Sequence, residues 1–288
     1  MLTTLRRRLR RAGRAARNQG SGLMQDFRLF TRQTREPSSF RQSRVDGMSV
    51  LVKANEDVGR EIYFFQDFES EESKYILENI RETDICVDVG ANIGFYSLSF
   101  AKKAVRGEVH CFEPVPLNFH MMAVNVLANA FSNVSMNNCA VGDVNCETEF
   151  CVAQDGAFSS LINTGRKVVS EILKTRVLTL DSYCRERNLT RIDVLKVDVE
   201  GAEMAVIRGA TEVLSDPKRR PHLVMLELFE PMLQQFGSTL AQVEELMSGY
   251  GYRPFVLIEE RLVPFTTSHH DRFYNILFLD PAKHDYEN

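Results

Sequence analysis

The sequence predicts an α/β fold, a mostly parallel sheet with helices on both faces, and three observations carry that prediction. From Asp84 onward, apolar runs of strand length alternate with segments whose apolar residues recur at helical spacing. A turn containing Gly90 and Gly94 joins the first of these strands directly to a helix. No internal repeat of roughly 20–50 residues interrupts the alternation, which excludes solenoids and propellers.

Taken in order, Met48–Ala54 and Glu61–Gln66 are rich in β-branched, aliphatic and aromatic residues, with Gly59 between them, and read as a β-hairpin. Ser70–Arg81 places Tyr75, Ile76, Leu77 and Ile80 at helical spacing. Strands follow at Asp84–Val89, Glu108–Phe112, Val134–Ala140, Ile192–Val197 and Leu223–Leu228. Helices alternate with them at Phe95–Ala104, Leu117–Ala128, Asp181–Arg187, Ala202–Leu214 and Leu240–Gly249. Pro254–Ile258 and Phe273–Leu279 close the chain as strands. Residues 145–178 are more irregular, with strand-like pieces. The polar stretch from Gln154 to Arg176 reads as an acceptor lid, since long loops in compact domains are often functional.

The chain has 288 residues, 44% hydrophobic and 26% charged, enough apolar material for a sizeable core. No apolar run approaches the ~18 residues of a membrane span. The basic start lacks the following apolar stretch of a secretory signal. The net charge of −4 hides an asymmetry. Residues 1–44 carry twelve Arg against Asp26 and Glu36, and the remainder carries 23 Lys and Arg against 37 acids. An acidic body argues against nucleic acid as a partner. The Arg-rich segment reads as a solvated tail, an arm for anionic lipid or a partner, or an organelle transit peptide. The expected division is a tail and linker over 1–47 and one domain over 48–288. The six cysteines form no CxxC pair and have no histidine at zinc-finger spacing. They read as reduced structural thiols in a reducing, cytoplasmic setting, with organelle targeting by the N-terminus as the alternative.

The chemistry gathers at strand ends. In Asp84-Ile-Cys-Val-Asp-Val-Gly-Ala-Asn-Ile-Gly-Phe-Tyr-Ser a buried strand ends at Val89 and a glycine turn opens a helix. Glycine allows close backbone approach to a ligand, and a helix N-terminus favours a carboxylate or phosphate. The spacing is G-x-x-x-G, not the dinucleotide G-x-G-x-x-G, and Asp88 suits an ammonium better than a pyrophosphate. Glu113, about twenty residues past the turn, stands where an acid accepts ribose hydroxyls. Together they suggest an adenosine ligand with a charged tail.

These stretches, with Phe112-Glu-Pro-Val-Pro, Asn118 and Asn125, Ala140-Val-Gly, Leu195-Lys-Val-Asp-Val-Glu-Gly-Ala-Glu and Leu226-Glu-Leu, resemble class I S-adenosylmethionine-dependent methyltransferases of the FkbM family. The resemblance spans roughly residues 75–280. It implies a Rossmann-like three-layer sandwich with a mostly parallel seven-stranded sheet and S-adenosylmethionine as cofactor. It places Asp88, Gly90, Asn92 and Gly94 around the methionine moiety, Glu113 at the ribose and Val141 near adenine. It also implies a small-molecule or glycan acceptor methylated on a hydroxyl.

Methyl transfer from a sulfonium is an in-line displacement that needs alignment, and a hydroxyl acceptor gains from a base. Asp198 and Glu227 are the catalytic candidates, at neighbouring strand ends; Glu200, Glu203 and Glu230 lie nearby. Such carboxylates could instead hold a divalent metal, although that reading is not the favoured one. Glu203 reads better as an acid at the start of a helix. His269 and His270 read as an exposed loop pair, His110 and His120 as structural, and Met121–Met122 as core. The rival readings are a non-catalytic cofactor-binding scaffold, a nicotinamide-dependent oxidoreductase and a nucleic-acid methyltransferase. The absence of an Asn-Pro-Pro-aromatic tetrad speaks against the last. Oligomeric state is not encoded legibly.

Overall fold

A computed structural model describes residues 40–266, 269 and 275–283, in two compact units that divide after Ser70. The Arg-rich segment 1–39 lies outside the described residues, as does His270.

In the first unit β1 (Phe40–Val45) and β2 (Met48–Lys53) pair antiparallel, joined by Asp46 and Gly47, both at positive φ. A hairpin is therefore present, but its partner strand precedes Met48 and begins inside the stretch expected to be linker. The strand expected at Glu61–Gln66 is instead part of helix α1 (Asp57–Phe65). Gly59 explains the difference. It is no turn residue: it lets the helix backbone press against β2, where a Cβ would overlap the Lys53 carbonyl oxygen.

Helix α2 (Ser70–Glu78) begins at the last residue of the first unit, and the second unit then alternates. Its first half holds β3 (Ile85–Val89), α3 (Phe95–Lys103), β4 (Glu108–Phe112), α4 (Pro116–Ala128) and β5 (Val134–Asn137). A small sheet interrupts, made of β6 (Ala140–Val141), β7 (Cys146–Ala153) and β8 (Val169–Leu178) in the order β6-β8-β7. The expected strand over Val134–Ala140 is thus split between two sheets. Asn138 turns the chain there, its side chain donating to the carbonyls of Glu113 and Pro114.

The alternation resumes with α5 (Leu180–Arg187), β9 (Val194–Val197), α6 (Glu203–Arg208), α7 (Thr211–Ser215) and β10 (Leu223–Glu227). The single helix expected over Ala202–Leu214 breaks at Gly209, where the backbone of Gly142 comes so close that a Cβ would overlap its carbonyl oxygen. After α8 (Glu230–Gln235) and α9 (Leu240–Gly249) come β11 (Arg253–Ile258), β12 (Arg261–Pro264) and β13 (Asn275–Leu279).

The main sheet runs β12-β11-β13-β10-β9-β3-β4-β5. From β5 to β10 all neighbours are parallel, and β13 enters antiparallel to β10. It has eight strands where seven were expected. The extra one is β12, an edge strand folded back on β11 through Glu259 and Glu260, both at positive φ. β9 is fully buried and β10 nearly so, as strands covered on both faces are. The core joins Val87, Val89, Leu195, Val197, Val224 and Leu226 to residues of α5–α7 and α9. From β3 the chain steps to β4 and β5 on one side, and returns to β9 and β10 on the other. The carboxyl ends of β3 and β9 therefore flank the point where strand order reverses, the place where open α/β sheets bind ligands. Among the described residues no helix is long and apolar enough to cross a membrane.

Candidate active site

The turn after β3 is shaped by what it must pass. Gly90 has φ +79°, and a Cβ there would overlap the carbonyl oxygen of Asp198. Gly94 has φ +91° and faces Met122, whose Cγ would lie 2.8 Å from an added Cβ. Asn92 also takes positive φ and is pinned twice: its side chain accepts from Ile93 N at 2.8 Å, and its own N–H donates to Glu113 Oε2 at 2.9 Å.

Glu113 is the partner of this turn. Its second oxygen accepts from Val115 N at 2.9 Å. Burial pushes the carboxyl up to about 7, although these backbone donors pull the other way. A carboxylate offers about four lone-pair sites, more than these bonds use, so hydroxyl recognition remains chemically open.

Asp88 is enclosed. It has no exposed surface, and Ser97 Oγ donates to its Oδ2 at 2.6 Å. Lys196 Nζ stands 3.7 Å from Oδ1. Burial raises its pKa, with Lys196 and Ser97 opposing. The acid expected to face a ligand ammonium is thus enclosed and served by a lysine of this chain. Val141 is also enclosed, in the core with Phe112, Leu178 and Tyr183, so its side chain stands apart from the polar set.

The carboxylates beyond β9 and β10 do come together. One oxygen each of Asp198, Glu200 and Glu227 lies within 4.8 Å of the others, spacing that a divalent ion could bridge. Two cations already serve this trio. Lys196 Nζ is 3.1 Å from Asp198 Oδ2, and Arg166 is ion-paired to Glu200. Burial opposes ionisation of Asp198, yet Lys196, a hydrogen bond with Glu227 and Arg166 hold its carboxyl below the ordinary value. Glu200 goes the other way, pushed by burial to about 8 despite Arg166. Its backbone takes φ +58°, and Ser160 Oγ donates to its carbonyl at 3.2 Å. Glu203 turns one oxygen to the preceding loop: its Oε1 accepts from Val199 N at 3.2 Å and Gly201 N at 3.1 Å.

Sequence reasoning passed over two residues. Lys196 is the lone charge within a buried four-residue strand, a signal in itself, since a lysine is almost never buried without partners. Arg166 comes from the irregular segment, which lies against this edge. Its guanidinium sits 4.5 Å from the Phe158 ring centroid and 5.7 Å from that of Phe229. Gln235 Nε2 donates to the Thr164 carbonyl at 3.3 Å. His110 is buried against Tyr183 and Glu108, and His269 bonds the Thr266 backbone of its own loop.

Comparison with known proteins places the chain among methyltransferases by sequence. The methyltransferase FkbM domain model matches residues 88–254. Methyltransferase sdnD of Sordaria araneosa is 28% identical over 207 residues, covering 62% of this chain and 77% of its own length. The 31-O-demethyl-FK506 methyltransferase FkbM of Streptomyces tacrolimicus is 24% identical over 201 residues, covering 60% and 74%. The hexuronic acid methyltransferase AglP of Haloferax volcanii is 28% identical over 160 residues, covering 54% and 62%.

Proposed function

Because this chain belongs to the FkbM methyltransferase family, we propose that it moves a methyl group from S-adenosylmethionine to a hydroxyl oxygen of a sugar or small natural product. The observation that carries the reading is the clustering of Asp198, Glu200 and Glu227 at the ends of adjacent parallel strands, one oxygen of each within 4.8 Å of the others, beside the Gly90–Gly94 turn and Glu113. The relatives lend support: one name specifies an oxygen acceptor and another a hexuronic acid.

The donor supplies an electrophilic methyl group on a sulfonium. The Gly90–Gly94 turn and Glu113 hold it, Glu113 by accepting ribose hydroxyls. Asp198, ionised beside Lys196, accepts the proton of the acceptor hydroxyl as its oxygen bonds to the methyl carbon and the carbon–sulfur electron pair stays on sulfur. Glu227, with an oxygen within 4.8 Å of one of Asp198's, supports it from the neighbouring strand end.

Calorimetric titration with S-adenosylhomocysteine and, separately, NAD tests the donor half. Micromolar binding of the first and none of the second is expected; folded protein that ignores S-adenosylhomocysteine would sink the assignment. Incubation with methyl-labelled donor and a panel of sugars, uronic acids and hydroxylated metabolites tests the acceptor half. Label recovered on nitrogen or carbon would overturn the hydroxyl reading.

A further inference from the structure

Lys196 is the junction between the two halves of the site. Its side chain is almost wholly buried, and its Nζ reaches Asp198 Oδ2 at 3.1 Å, the Gly90 carbonyl at 3.3 Å and Asp88 Oδ1 at 3.7 Å. The Tyr96 ring centroid lies 5.3 Å away, closing a further side with an aromatic face. The backbones it spans are already in contact: Asp198 N donates to the Val89 carbonyl at 3.0 Å, and Gly90 abuts the Asp198 carbonyl. One ammonium thus serves an acid before the glycine turn, the turn itself and an acid on the acceptor side.

We propose that Lys196 is a positioning residue that locks the acceptor carboxylate Asp198 to the Gly90 turn, so that donor and acceptor sites are held in one register. A buried lysine needs compensating negative charge and is free to redistribute its bonds only among the acceptors around it. If Asp198 loses its charge, Lys196 moves toward Asp88 and its hold on the Gly90 carbonyl changes. The donor turn then feels a substitution made on the acceptor side. Alignment between reacting groups is where small displacements cost most rate, which gives such a tie its use. The inference rests on the reading that the Gly90 turn holds the donor.

The test is a double-mutant cycle read by calorimetry of S-adenosylhomocysteine, with circular dichroism to establish folding. Asp198→Asn is expected to weaken binding by roughly 3–10-fold with Lys196 present, and by less than about 2-fold in a Lys196→Met background. Should Lys196→Met fail to fold, Lys196→Gln, which retains a donor to Gly90 without the charge, takes its place in the cycle. Equal effects of Asp198→Asn in both backgrounds overturn the proposal, since a purely structural Lys196 gives additive losses. Failure of the wild-type chain to bind S-adenosylhomocysteine would instead overturn the donor reading itself.

Discussion

Gly90 and Asp198 approach each other more closely than any side chain at position 90 would permit: an added Cβ would overlap the Asp198 carbonyl oxygen. The contact is backbone on backbone, so no rotamer change relieves it, and the φ of +79° adds its own strain for any other residue. Gly90→Ala is expected to cost about 2–5 kcal/mol and to weaken S-adenosylhomocysteine binding by at least ~10-fold. Urea denaturation followed by calorimetry checks both. An alanine variant with wild-type midpoint and affinity would show that the two loops separate freely.

Stability should fall as pH rises through neutrality, because several buried acids hold protons that the unfolded chain releases. Burial pushes Glu113 and Glu203 up to about 7, from an ordinary 4.5. Between about 4.5 and these values the folded state binds more protons than the unfolded one, so stability declines with rising pH. Asp84, Asp198 and Asp280 run in the opposite sense. Burial opposes their ionisation, but their partners hold them below 3.8, so their contribution is lost only as pH falls through those lowered values. The Tm of the ligand-free protein therefore drops by roughly 5 °C or more between pH 5 and 8, with buried His110, whose pKa is lowered from 6.5, opposing the fall in the lower part of that range. Glu203→Gln keeps an acceptor for Val199 and Gly201 while removing one ionisation, and should flatten the decline. A Tm that is level or rises between pH 5 and 8 contradicts this.

The parallel strands were legible because their signals are local: an apolar run ending at a turn, repeated. Even the glycines of the Gly90 turn could be recognised without knowing what they approach. What stayed hidden depends on distant partners. Glu61–Gln66 has strand-like composition, yet all but its last residue lies in a helix whose Gly59 fits against the Lys53 carbonyl. Strand β12 follows a two-residue turn built from Glu259 and Glu260, residue types that carry no turn signature although both take left-handed φ. Asp88 was legible as a site-edge acid, but its counter-ion Lys196 comes from a strand more than a hundred positions away. Arg166 gave no signal because Phe229 and its acidic partner Glu200 arrive from two other segments, and only Phe158 comes from its own.

Asp181 links two helices and offers a control remote from the chemistry. Its carboxylate accepts from Glu212 N at 2.9 Å and Val213 N at 3.1 Å, capping α7 from the first turn of α5. Asp181→Ala should cost about 1–2 kcal/mol and leave S-adenosylhomocysteine affinity within 2-fold or so, because no ligand-edge residue depends on that cap. Asp181→Asn, which retains one acceptor, should recover about half the loss. A fall in affinity in proportion to the fall in stability would mean that α7 transmits strain to the Glu203 turn.

Arg166 fastens the irregular segment to the ends of β9 and β10, and its removal should loosen that segment first. The guanidinium makes an ion pair with Glu200 while lying over Phe158 and near Phe229, a combination of planar stacking and charge that lysine reproduces poorly. Ser160 and Gln235 add one hydrogen bond each, so the fastening is distributed and a single substitution should open the segment without unfolding the chain. Arg166→Ala is expected to raise thermolysin cleavage between residues 154 and 168 by roughly 5-fold or more, with Arg166→Lys intermediate and the Tm lowered by only a few degrees. Bound S-adenosylhomocysteine should leave that difference in place, because the pairing of Arg166 with Glu200 belongs to the acceptor side of the edge. Cleavage unchanged in both variants would mean that Ser160 and Gln235 suffice, and that the Arg166–Glu200 pair serves the chemistry of Glu200 rather than the closure of the segment.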